Sequence, residues 1–152
     1  MKVVVADTSP LNYLILVDAV EILPRLFGRV TIPDVVFREL TDEDAPRQVA
    51  EWAAMRPEWV EVRQAPLPAD ASLEGLDPGE QAAILLAEQQ AEVLLLMDDA
   101  SGRIEAAKRG IPTIGTLGVL RAASLRGLVE LPTILTRLMA TNFRVSEDLL
   151  NE

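Results

Sequence analysis

The sequence predicts a single α/β domain of three layers, with helices on both faces of a central parallel sheet. Three observations carry that expectation. Short, uniformly apolar runs such as Val3–Ala6 and Val93–Met97 have the pattern of strands buried on both faces. Amphipathic stretches at helical spacing, opened by Pro or Asp and closed by Gly, lie between such runs. The chain has 152 residues, 49% of them hydrophobic, which suits one domain, residues 1–152, able to bury its own core.

Taken in order, Val3–Ala6 is a strand ending at Asp7, and Pro10 opens a helical stretch through Leu11, Leu14 and Ile15. Asp18 is expected to cap a second helix, Ala19–Phe27, which Gly28 ends. Arg29–Ile32 is the second strand. Pro33 suits the first turn of a helix over Asp34–Leu40. An acidic loop follows at Thr41–Asp44, then a helix over Pro46–Met55 and a short strand over Trp59–Arg63. Gln64–Leu76 has no periodicity and is the one long loop, a class of segment that often carries function. Asp77-Pro78-Gly79-Glu80 starts a helix running to about Gln90 and has the form of a capping box. Val93–Met97 is a strand ending in Asp98-Asp99. A helix through Ile104–Lys108, a strand Pro112–Ile114 and helices Leu117–Leu125, Pro132–Ala140 and Glu147–Leu150 complete the chain.

Composition excludes several chemistries. With no histidine, Ser-His-Asp and Cys-His catalysis, His-based ribonuclease chemistry and His-ligated zinc are all impossible. With no cysteine, so are disulfides and thiolate metal sites. No apolar run approaches the roughly 20 residues of a membrane span, and Met1–Asp7 lacks the form of a signal peptide. The expected location is the cytoplasm, with no membrane partner. An enzyme with this composition must rely on carboxylates, hydroxyls, Lys, Arg, Tyr or a metal. Carboxylates are hard oxygen donors, matched to Mg²⁺ or Mn²⁺.

The acids are placed for such a site. Asp7, Asp98 and Asp99 all follow strand ends, and open parallel sheets bind ligands at that rim. Each also has a structural reading: Asp7 or Ser9 as a helix cap, one of the Asp98-Asp99 pair as another, Glu80 as half of the capping box, Glu39 as a solvated helix residue. Two adjacent carboxylates repel unless a cation neutralises them, which favours a metal at Asp98 or Asp99. The net charge of −10 argues against a nucleic-acid partner until its distribution is considered. Residues 1–100 hold 7 basic and 19 acidic residues, whereas 101–144 hold 7 basic residues and only Glu105 and Glu130 as acids.

Four segments, in order, resemble the PIN-domain nucleases. Val5-Ala6-Asp7-Thr8-Ser9-Pro10-Leu11 resembles the family's opening motif. Ile32-Pro33-Asp34-Val35-Val36-Phe37-Arg38-Glu39-Leu40 resembles the segment carrying the second acid, and Gly79-Glu80-Gln81-Ala82-Ala83 the helix carrying the third. Leu94-Leu95-Leu96-Met97-Asp98-Asp99 resembles the strand end carrying the last. Gly115–Leu120 and Asn142–Ser146 resemble a PIN-like branch related to VapC-type toxins. The chain departs from the VapC pattern at Glu80, where Asp is usual, and at Met97, which replaces the Thr of Thr-x-Asp.

The resemblance implies catalytic roles for Asp7, Glu39, Glu80, Asp98 and Asp99, with Asp7, Glu80, Asp98 and Asp99 as ligands of Mg²⁺ or Mn²⁺. It implies hydrolysis of single-stranded RNA, with Thr8 or Ser9 bonding the phosphate or a ligand, while the locally positive C-terminal third places Arg103, Lys108 and Arg109 as contacts for the RNA backbone. A cognate antitoxin is an expected partner. A homodimer is expected from the resemblance and from the apolar Leu11, Leu14, Ile15, Leu16, Ile22 and Leu23. The other reading is a PIN-like module that binds RNA or protein without cutting. Phosphoacceptor receiver, haloacid-dehalogenase-like and toprim arrangements need acid orders that this chain lacks.

Overall fold

The computed structural model describes residues 2–68 and 71–143. Five strands form one all-parallel sheet: β1 (Val3–Ala6), β2 (Val30–Pro33), β3 (Val60–Arg63), β4 (Val93–Leu96) and β5 (Thr113–Ile114), in the order β3-β2-β1-β4-β5. The chain moves outward from β1 through β2 to β3, then returns to the other side of β1 for β4 and β5. The strand order therefore reverses between β1 and β4, and the crevice beyond their C-terminal ends is where open α/β sheets bind ligands. β1 and β4 run in register from Val3↔Val93 to Ala6↔Leu96, so the residues that follow both strands emerge side by side.

Alternation along the strands builds the expected three layers. Val4, Ala6 and Leu96 face a core shared with α1 (Thr8–Leu16), α2 (Ile22–Phe27), α3 (Asp34–Thr41), α4 (Arg47–Met55), α7 (Thr116–Leu125) and α8 (Leu131–Met139). Val5, Leu95 and Met97 face a second core with α5 (Pro78–Glu88), α6 (Ala100–Lys108), Leu73 and Leu76. Leu11, Leu14, Ile15, Ile22 and Leu23, which prompted the expectation of a dimer, are all buried in the first core, and Leu16 packs against it. They offer no face to a second copy.

One expected boundary is corrected. Asp18 does not cap a helix over Ala19–Phe27; α2 starts only at Ile22. Asp18 has φ 59°, a left-handed conformation that Asp tolerates better than most residues. Its N–H reaches the Ile15 carbonyl (3.0 Å), and the Ala19 N–H reaches that of Leu14 (2.8 Å). That pair of bonds is a Schellman closure of α1, so Asp18 ends one helix rather than starting the next. Inside the expected long loop, Ala71–Leu73 forms a short 3₁₀ turn that buries Leu73. The expected helix Glu147–Leu150 and Arg144 lie outside the described residues. Among the described residues no helix is long and apolar enough to cross a membrane.

Candidate functional site

Asp7 continues β1 at the strand-order reversal, its N–H donating to the Leu96 carbonyl (3.0 Å). The side chain is buried, and its Oδ1 has no hydrogen-bond partner. A buried carboxylate oxygen without a donor is costly. Burial, chiefly, pushes the Asp7 carboxyl well above its usual range; the charges of Asp77, Glu80 and Glu39 add to the effect, against an opposing bond from the Thr8 backbone. The fold thus disfavours the ionised form of Asp7 and leaves one of its oxygens without a protein donor.

The two residues after Asp7 hold its neighbours. The Thr8 hydroxyl donates to Glu39 Oε1, and the Ser9 hydroxyl donates to Asp98 Oδ2 at 2.7 Å. Asp98 also accepts from the Thr116 N–H (2.7 Å, Oδ1) and the Thr116 hydroxyl (2.8 Å, Oδ2). Thr116 is the first residue of α7, so Asp98 sits at the positive end of that helix. Asp99 takes the structural role that one of the pair was expected to take: it caps α6, accepting from the Gly102 N–H at 2.8 Å. Both acids still line the same cleft.

Glu80 likewise combines two roles. The capping box is complete, with the Glu80 N–H to Asp77 Oδ1 at 2.8 Å and the Asp77 N–H to Glu80 Oε1 at 3.0 Å. Burial first, then the negative charges of Asp77 and Asp99, push the Glu80 carboxyl up to about 6. Glu39 reaches the site from the last turn of α3 and is also raised, mainly by burial. Besides Thr8, the Gly79 backbone bonds it. A Cβ on Gly79 would lie 2.3 Å from Glu39 Oε1, so only glycine allows α5 and Glu39 this close. Gly79→Ala is therefore expected to displace Glu39 and cut activity roughly tenfold or more, with about 1–3 kcal/mol lost from stability. Thermal melts and cleavage assays on the one variant check both.

Together Asp7, Glu39, Asp77, Glu80, Asp98 and Asp99 line a cleft of about 660 Å³, with no Lys or Arg in its lining among the described residues. Thr116, Asp77, Asn12, Tyr13, Asn142 and Phe143 were not expected from the sequence as site residues. Of these, the Gly115-Thr116 motif, the Asn142-Phe143 pair of the closing motif and the capping-box Asp77 carried a sequence signal. Gly115 allows the close packing there: a Cβ on it would lie 3.0 Å from Asp98 Oδ1 and 3.1 Å from Arg103 Nη1.

The residues expected to touch RNA divide. Thr8 and Ser9 are in the cleft, with hydroxyls committed to the acids. Arg103 stands beside it, over Gly115. Lys108 and Arg109 are not brought to it: α6 begins at Asp99 and runs away from the acids for nine residues, roughly 13 Å. Arg109 instead bonds Glu105 (2.9 Å), Glu88 (3.0 Å) and Ser72 (2.9 Å), with only 11% of its side chain exposed. Arg109→Ala should lower stability by roughly 1–3 kcal/mol, since it leaves two carboxylates unpaired, while RNA affinity in Ca²⁺ stays unchanged. Denaturant melts and fluorescence anisotropy test the two halves separately.

This arrangement, acids from four elements gathered at the C-terminal edge of a parallel sheet, agrees with the family comparison, in which a PIN-domain model matches residues 3–152. The chain belongs to the PIN-domain family. PIN domains are nuclease-type modules and typically use divalent metals. Comparison with curated proteins returns no match. The donors of this PIN domain fit a hard divalent cation: all are carboxylate or hydroxyl oxygens, and Asp7 Oδ1 is buried without a partner. Among the described residues no three acids already stand close enough to hold an ion by themselves.

Proposed function

We propose that this PIN domain is a Mg²⁺- or Mn²⁺-dependent endoribonuclease that hydrolyses single-stranded RNA. The observation that carries the reading is Asp7, a buried carboxylate with an unpartnered oxygen in a cleft whose lining, among the described residues, is rich in acids and holds no Lys or Arg. Asp7, Glu80, Asp98 and Asp99 would hold the cation, some of them through its bound waters. Bound there, the metal would lower the pKa of a water and offset charge on the scissile phosphate. The protein's own part is positioning. Ser9 and Thr116 fix Asp98, and Thr8 and Gly79 fix Glu39.

Purified protein incubated with labelled single-stranded RNA should cleave it internally with Mn²⁺ or Mg²⁺, and not with EDTA. Cleavage that persists in EDTA would refute the metal-dependent mechanism. A role as the toxin of a toxin–antitoxin pair is the biological setting we propose. Expression should then arrest growth, and co-expression of an adjacent small DNA-binding protein should relieve the arrest.

One observation favours the non-cutting module instead. Asp98 already accepts three hydrogen bonds from protein donors, so part of its charge is offset without a cation. A protein that binds RNA but shows neither cleavage nor a metal-induced rise in melting temperature would establish that second reading.

A further inference from the structure

The cleft must hold a polyanion although its walls are acidic. Lys108 and Arg109 lie away from it, and among the described residues none that lines it is basic. Beyond a bound cation and Arg103 at its edge, affinity in such a cleft can come from contacts that do not depend on phosphate charge. Two aromatic rings and two amides line the same cleft as the acids: Tyr13, Phe143, Asn12 and Asn142. The chain has only six aromatic residues, one of them Tyr.

The rings of Tyr13 and Phe143 meet edge to face, with centroids 4.8 Å apart and planes at 79°. Both are half-buried and rest on the core beneath, which fixes their orientation. The Tyr13 hydroxyl donates to Asn142 Oδ1 at 2.9 Å. That bond orients the amide and leaves its NH₂ as a donor, and among the described residues neither that NH₂ nor the Asn12 amide has a partner. Burial and the charge of Asp98 raise the Tyr13 phenol above its usual range, which keeps it a donor.

We infer that Tyr13 and Phe143 form a nucleobase platform in the wall of the acidic cleft, where a base beside the scissile phosphate stacks while Asn142 donates to its edge. The inference rests on the nuclease reading for the identity of its ligand. Aromatic stacking accepts any base and is insensitive to the sign of the surrounding charge. Asn amides recognise base edges by paired donor and acceptor groups. A platform of this kind holds RNA by its bases where the phosphates are repelled, and so makes the site selective for unpaired strands, whose bases are free to stack.

The test compares a short oligouridylate with an abasic ribose-phosphate oligomer of the same length, by fluorescence anisotropy in Ca²⁺. The wild-type protein should prefer the base-bearing oligomer roughly tenfold or more. Phe143→Leu and Tyr13→Leu should lose that preference and keep their affinity for the abasic strand. Phe143→Trp should retain the preference and quench a 2-aminopurine placed in the RNA, which guards against a Leu variant that folds poorly. A wild-type protein that binds both oligomers alike, or Leu variants that keep the preference, would overturn the platform. Mn²⁺ cleavage assays on the same wild-type sample separate the two ideas. Cleavage without base preference sinks the platform alone, and base preference without cleavage sinks the nuclease reading alone.

Discussion

Asp7→Asn is expected to abolish RNA cleavage while raising the melting temperature of the metal-free protein. The two effects have one cause. Asn keeps the size and shape of the side chain but removes the charge that the fold buries. Burial, the largest contribution, and three neighbouring acids hold the Asp7 carboxyl well above its usual range, so its ionised form is disfavoured in the folded state relative to the unfolded chain. Below the unfolded pKa the group is neutral in both states and costs nothing. As pH rises towards and through the raised folded value, the unfolded state gains more from ionisation, and stability is lost. At neutral pH the neutral amide escapes that loss, and a domain of this size gains about 2–4 °C per kcal/mol recovered. Cleavage should fall at least about 100-fold, because even partners of a metal ligand typically cost 10–100-fold when removed. The pairing of lost activity with gained stability separates a functional carboxylate from a structural one. An Asp7→Asn variant that melts lower and still cuts would show that Asp7 serves the fold.

The rim of acids was legible in the sequence because strand ends are legible. An uninterrupted apolar run followed by Asp7, and another followed by Asp98-Asp99, fix those carboxylates at one sheet edge once the strands are parallel. The sequence could not show that β4 returns beside β1 rather than beyond β3. That return makes Asp7 and Asp98 neighbours, and it comes from the packing of two cores on alternate faces of the strands. Glu39 and Glu80 depended on resemblance, since a late-helix Glu and a capping-box Glu have ordinary structural explanations. Glu80 meets its structural explanation in full and still lines the cleft, so the two readings were never alternatives. Thr116 was hidden for a different reason. A buried Thr at a helix start looks like a local cap, yet its hydroxyl and N–H both serve an acid 18 residues earlier. The basic C-terminal stretch misled in the opposite direction. Charge counted along a chain says nothing about which end of a helix it occupies, and α6 carries Lys108 and Arg109 away from the edge where it begins.

Mn²⁺ is expected to stabilise the protein strongly at pH 8 and weakly at pH 5. Asp7, Glu39 and Glu80 all have carboxyls raised above their usual values, chiefly by burial. In the metal-free protein each contributes a stability penalty that is absent below its unfolded pKa and grows as pH rises through its folded one. For Glu80 that window runs from the ordinary Glu value of 4.5 up to about 6. The cation binds the ionised carboxylates, so protons compete with it at low pH and not at high pH. At a metal concentration about 100 times the dissociation constant, mass action adds about 2.7 kcal/mol, a rise of roughly 5–10 °C for a domain of this length. The metal should thus offset the loss of stability between pH 5 and 8 that these three acids impose in EDTA. Other groups also titrate across that range, so the informative quantity is the difference between Mn²⁺ and EDTA at each pH, measured for the wild type and for Asp7→Asn. The wild-type difference should grow with pH, and the variant should show little at either. A shift of equal size at pH 5 and pH 8 would mean that the cation binds outside the cleft, since among the described residues the carboxyls raised above their usual values are those of the cleft acids.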